Sequence, residues 1–235
     1  AFAAEESLTL SISPSLYDMS ANPGQEWRSS LRVINVNDFD LTVYLEVVNF
    51  TPQGEGGDGK FVPIGAGEMD GSTIAEWFTI SKEPITIPRE QSIEIPLSVL
   101  VPFDASPGGH FAAILVGTKP ITPEAGQARV QTSQIVTSLF FARAAGDINE
   151  SGMSREFKTA KTYLNSPEAT FELRFENKGN VHLKPQGDIK ITNMWGQERG
   201  IVPINQNSNF GNVLPQTIRK FTFTWKGEWS ISDIG

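Results

Sequence analysis

Arg32-Val33-Ile34-Asn35-Val36-Asn37-Asp38-Phe39-Asp40-Leu41-Thr42-Val43-Tyr44-Leu45-Glu46-Val47 and Phe171-Glu172-Leu173-Arg174-Phe175-Glu176-Asn177-Lys178-Gly179-Asn180-Val181-His182-Leu183-Lys184-Pro185 follow one plan. In each, an alternating apolar/polar run meets an Asn-rich turn and then returns to extended sequence. Period-two alternation places successive side chains on opposite faces of a strand. Asn, Asp and Gly tolerate left-handed backbone and supply turn hydrogen bonds, so they suit the bend between paired strands. The repetition predicts an all-β chain built as two tandem immunoglobulin-like β-sandwich domains.

The surrounding sequence fits that frame. Leu8-Thr9-Leu10-Ser11-Ile12-Ser13 alternates and stops at Pro14, as an edge strand would. Asn22-Pro23-Gly24-Gln25 reads as a turn, with Pro presetting φ and Gly taking the positive φ after it. Strands follow over Trp27–Val36 and Leu41–Phe50, with Leu31, Val33 and Val36 as candidates for the core face. Thr51–Gly71 reads as one long Gly-rich loop. Further strands are expected at Ala75–Ile80, Ile85–Pro88 and Ser92–Val99. His110–Val116 is nearly all apolar and predicts a central strand buried on both faces. Val130–Ala144 is the longest candidate. The polar, Gly-containing stretch Gly146–Ser154 marks a boundary, giving domains at 1–146 and 155–235. The second is expected to hold strands at Phe157–Leu164, Thr170–Glu176, Asp188–Asn193, Gly200–Pro203 and Arg219–Lys226. No window carries helical spacing between caps.

Composition narrows the function classes. The 235 residues carry a formal net charge of -8 and no Lys/Arg run, which argues against a phosphate-backbone partner and gives no nucleic-acid face. The chain has no cysteine, which excludes disulfides, thiol nucleophiles and Cys-ligated metals. Its two histidines, His110 and His182, stand in different predicted domains without zinc-hydrolase spacing. No Gly-x-Ser-x-Gly elbow or Ser-x-x-Lys box is present. No catalytic residue, metal ligand set or cofactor is therefore assigned, and the chain reads as a non-enzyme. Asp147-Ile148-Asn149-Glu150-Ser151-Gly152 copies part of a calcium loop. Ser151 stands at its fifth position and Lys158 at its twelfth, so it reads as a solvated hinge. Binding candidates are Trp195, in the turn Asn193-Met194-Trp195-Gly196-Gln197, and Asp58 and Asp70 of the Gly-rich loop. The other tryptophans read as core.

Ala1-Phe2-Ala3 has the small-x-small form of a signal-peptide end, which predicts export and an extracellular, cell-surface location. No apolar run is long enough to span a bilayer, so the expectation is an anchor outside this fragment and no membrane contact by the domains themselves.

Ser13-Pro14, Asn22-Pro23-Gly24-Gln25, Val33-Ile34-Asn35-Val36-Asn37 and Pro107-Gly108-Gly109-His110-Phe111-Ala112-Ala113-Ile114 together resemble the N-terminal domain of the WxL-interacting cell-surface proteins of Gram-positive bacteria (the DUF916 type). The second half, with Glu176–His182 and Val213-Leu214-Pro215, resembles an additional Ig-like module. The resemblance implies an envelope scaffold whose first domain binds peptidoglycan and whose second docks a surface protein. The leading expectation is thus a bacterial surface protein binding envelope glycan or another surface protein. The alternatives are a chaperone- or pilin-like structural protein acting by strand addition, and a carbohydrate-binding module or glycan-active enzyme. Strand addition predicts a missing or weakly paired strand in one sandwich.

Overall fold

The computed structural model describes residues 8–64, 73–120, 134–159, 168–193, 195–206, 208 and 210–227. Their regular elements are strands apart from one 3-10 turn, and the chain falls into two compact units, 1–51 with 60–147, and 52–59 with 148–235.

The first unit is a sandwich of two sheets. One runs β1 (Leu10–Ser13), β3 (Glu26–Asn35), β8 (Ser92–Leu100), β6 (Phe78–Ile80). The other runs β2 (Leu16–Ala21), β10 (Ile135–Ala144), β9 (Gly108–Gly117), β4 (Leu41–Gln53), β5 (Asp58–Val62), with β7 (Ile85–Ile87) also on β4. Inward side chains alternate along each strand: Leu31 and Val33 of β3, Ile95, Leu97 and Val99 of β8, Val43, Leu45 and Val47 of β4, all buried. At the centre Phe140 is fully buried, with ring centroids of Tyr17, Trp27 and Phe78 at 5.6, 5.3 and 4.8 Å. β9 is the strand buried on both faces: Ala112, Ile114 and Val116 join this core, while Ala113 and Leu115 pack outward against Val48 and Leu139. The turn at Asn22-Pro23-Gly24-Gln25 forms as read, with Gln25 N–H donating to the Asn22 carbonyl at 3.0 Å and Gly24 at φ +81°.

The second unit sets a three-stranded sheet, β11 (Gly152–Thr159), β12 (Glu168–Asn177), β15 (Ile218–Lys226), with a two-stranded one, β13 (Gly187–Thr192) and β14 (Glu198–Ile204). Phe171, Leu173, Phe221 and Phe223 of the first meet Ile189, Ile191, Val202 and Ile204 of the second.

The shared plan of the two stretches has a common atomic cause. Asn35 is fully buried at the end of β3; its Nδ2 donates to the Phe39 and Ile87 carbonyls and its Oδ1 accepts from Asn37 N–H. Asn177 is fully buried at the end of β12; its Nδ2 donates to the Val181 and Val213 carbonyls and its Oδ1 accepts from Gly179 N–H. In both units the amide ties residue i+4 to a distant strand or loop while closing a turn on residue i+2. A short amide side chain replaces backbone partners that the turn cannot reach.

Several expectations need correction. β1 stops before Pro14 at the edge of its sheet, as read, but the strand after it was not expected: past the cis Ser13–Pro14 bond the chain enters the second sheet as β2, which pairs in parallel with β10. The buried alternation Tyr17, Met19, Ala21 was the available signal for this strand. The stretch from Thr51 is not one loop: β4 runs to Gln53, four turn residues follow, and β5 starts at Asp58, with Phe50 and Phe61 rings 5.9 Å apart. Ala75–Ile80 begins as a 3-10 turn, Ile74–Trp77, and becomes strand only at Phe78. Val36 is 54% exposed, because the turn gives the inward positions to Asn35 and Asn37. β11 starts at Gly152, earlier than Phe157. Residues 130–133 and 160–164 of the expected strands lie outside the described residues.

Candidate functional site: open strand edges

The sequence-predicted binding residues do not converge. Trp195 is 69% exposed on the tip between β13 and β14, a turn closed by Asn193 Oδ1, which accepts from Trp195 N–H and Gln197 N–H. Asp58 is exposed at the start of β5, and its charge acts on half-buried Arg219. Burial pushes that guanidinium down and Asp58 opposes the shift. Asp70 and Trp229 lie outside the described residues, as do Ala1–Glu6. Trp77 is buried, and Trp27 and Trp225 pack on the cores.

The calcium-like segment is a structural brace. Asn149 N–H donates to Asn180 Oδ1 at 2.8 Å, the Asn149 carbonyl accepts from Asn180 N–H at 3.0 Å, and the Ser151 carbonyl accepts from Lys178 N–H at 2.7 Å. The backbone of the segment is thus tied to the turn after β12. Among the described residues no group of three or more His, Asp or Glu side chains is placed to hold a metal.

His110 is a packing residue of β9. Its ring lies 4.6 Å from that of Trp77, its Nε2 is 2.9 Å from the Ser106 carbonyl, and burial lowers its pKa below the ordinary imidazole value. His182 is buried in the second unit. No helix among the described residues is long and apolar enough to cross a membrane.

What the fold leaves available is backbone. β10 pairs with β9 along its whole length, from Ile135 opposite Gly117 to Ala144 opposite Gly108. On its other flank β2 covers only Leu139–Ala144. The ladder closes where Leu139 N–H donates to the Ser15 carbonyl at 2.9 Å, next to Ser138 Oγ on the Pro14 carbonyl. Backbone groups alternate in direction with period two, so those of Thr137 and Ile135 point to the same flank as Leu139. Among the described residues that flank is unpaired from Ile135 to Thr137, and Ile135 is 47% exposed. Sequence reading could place β10 but not its half-covered flank, because the covering strand is more than a hundred residues away.

β4 pairs with β9 over Tyr44–Asn49, with β7 over Leu41–Val43, and with β5 as well. Beside this stretch lies a cavity of about 220 Å³, with Leu45, Val47, Phe78 and Ile80 in its wall and Glu46 and Lys82 among its polar groups. A second open edge is β11, which among the described residues pairs on one flank with β12 and is exposed along its length.

No family model matches the chain, and no curated protein matches it. Among solved structures it is similar to the class 5 fimbriae chaperone CfaA, with 14% identity over 95% of this chain and 94% of that one and a TM-score of 0.46. It is also similar to a chain of the CsuC–CsuE chaperone–tip adhesion subunit complex of Acinetobacter baumannii (12% identity, 95% and 89% covered, TM-score 0.46). The E. coli chaperone DraB matches with 15% identity, 92% and 85% covered, and a TM-score of 0.44. Scores of this size carry no inference about partner or activity.

Proposed function

We propose that the chain is a non-enzymatic, exported binding protein of chaperone- or pilin-like kind, which holds an extended segment of a partner protein by strand addition. The observation that supports this reading is the half-covered flank of β10. An incoming strand there continues the line of β2, gains main-chain hydrogen bonds at Ile135 and Thr137, and exposes its alternate side chains to the sheet faces. Affinity comes from backbone pairing and specificity from the side-chain pockets. The reading needs no cofactor. The leader-like Ala1-Phe2-Ala3 supports the exported location. The resemblance to WxL-interacting proteins supports the rival reading, an envelope scaffold retained by peptidoglycan.

Thr137→Pro separates the two. Proline removes one N–H from the open flank and leaves the β9 side of the ladder in place. The test measures binding of an array of ten-residue peptides with alternating apolar positions, alongside co-sedimentation with insoluble peptidoglycan. Strand addition predicts peptide capture by the native chain and its loss in the folded Thr137→Pro variant. Peptidoglycan retention that ignores this substitution, with no peptide capture, overturns the proposal in favour of the scaffold.

A further inference from the structure

We propose that β11 is a self-pairing edge, joining antiparallel to β11 of a second copy of this chain about a two-fold axis at Phe157. The proposal concerns the second unit and does not depend on the β10 reading.

The side chains of β11 are sorted by face. Opposite β12, Glu156 stands across from Arg174 and Lys158 across from Glu172, on the charged outward face. Phe157 stands across from Leu173, on the face that carries the apolar core. Yet Phe157 is 51% exposed, with its ring stacked on Phe171 at 5.9 Å and 1° between planes. An aromatic ring on the core face of an edge strand, covered on one side only, is apolar surface that a neighbouring strand would bury.

Charge selects the neighbour and its register. In a continuous sheet formed about a two-fold axis, facing residues lie on the same side, so outward residues meet outward residues. Three registers keep this match around Phe157. Centring on Glu156 sets two carboxylates opposite each other, and centring on Lys158 sets two ammonium groups opposite each other. Centring on Phe157 sets Glu156 opposite the second copy's Lys158, Lys158 opposite its Glu156, and the two Phe157 rings together. Both charged side chains remain solvent-accessible, at 38% for Glu156 and 50% for Lys158. Registers shifted by one residue place Phe157 against a charged side chain. The irregularity between Ser154 and Glu156 ends the regular ladder just before this segment.

Sedimentation equilibrium of the whole chain, from about 1 to 200 µM at low salt, tests the pairing in the range where small interfaces associate. The native chain is expected to show a monomer–dimer equilibrium that weakens with salt. Glu156→Lys alone and Lys158→Glu alone each create two like-charge pairs in the dimer and weaken it by about tenfold or more. The double swap Glu156→Lys/Lys158→Glu restores the homodimer. A mixture of the two single variants forms a heterodimer although neither pairs with itself. Far-UV circular dichroism confirms that the variants fold. A native chain that stays monomeric throughout, or a dimer indifferent to both single substitutions, overturns the proposal.

Discussion

Removing the Asn177 side chain tests the physical cause of the repeated plan. Asn177→Ala leaves two groups in the interior without their partner, the carbonyl of Val181 and the Gly179 N–H, now bonded at 2.7 and 2.9 Å, and takes from the Val213 carbonyl one of its two donors, Leu183 N–H remaining at 3.0 Å. Val181 and Val213 are at most 1% exposed, so water reaches them only if the turn opens. A buried polar group left unmade costs about 1–3 kcal/mol, and opening of the turn relieves part of it, so for two such groups the expected loss is about 2–4 kcal/mol in the second unit. For a unit of roughly a hundred residues that lowers the unfolding midpoint by about 10–25 °C. Asn177→Asp keeps the acceptor for Gly179 but turns a carboxylate oxygen toward two carbonyls, so at neutral pH it is expected to be no better than alanine. Lys178→Ala, exposed beside it, changes stability by less than about 0.5 kcal/mol. The assay is amide hydrogen exchange read on β12 and β15, which reports opening of the second unit independently of the first, with urea unfolding as a check that the denaturant slope is unchanged. Asn35→Ala is expected to cost a similar amount, read on β3 and β8. A loss under about 1 kcal/mol at Asn177, or an Asp variant near native stability, refutes the reasoning.

Phe140→Ala empties the centre of the first core and is expected to cost about 3–5 kcal/mol, measured as a shift in urea midpoint of the first unit. Gly179→Ala drives a Cβ into the Asn149 carbonyl oxygen, a backbone atom, and so forces the brace apart; faster exchange at Lys178 and Asn180 is the readout. For His110, burial holds the folded pKa below the unfolded value of about 6.5, so the unfolded chain takes up the proton first. Stability of the first unit is therefore full above about pH 6.5 and falls on acidification through the lowered folded pKa. In thermal melts between pH 5 and 8, His110→Gln is expected to flatten this slope, and an unchanged slope contradicts the assignment.

Local pattern made much of the fold legible. Alternation in Leu31–Val33, Ile93–Val99 and Phe171–Phe175 reports which face of a strand is buried whatever its neighbour, because the pleat has period two. The Asn-rich turns were legible for the same reason, since the Asx bonds of Asn35 and Asn177 begin with residues two and four positions on. The Gly-rich stretch misled because Gly54–Gly57 is a turn within a hairpin, while Phe50 and Phe61 show their strand character only when paired. The ring partner of His110, Trp77, lies in another element and left no local trace in the sequence.

By itself, the sequence determined an all-β chain with a repeated strand–turn–strand unit and the faces that its strands bury. The absence of any thiol or closely spaced histidine chemistry was also set at that level. Only the tertiary structure decided that the chain after β1 crosses to the other sheet, where β2 pairs in parallel with β10, that among the described residues the flank of Ile135–Thr137 stays open, and that Phe157 lies exposed on an edge. The physical reason is that side-chain alternation records burial against a face, whereas hydrogen bonding across an edge depends on whichever distant strand arrives there and how far along it reaches.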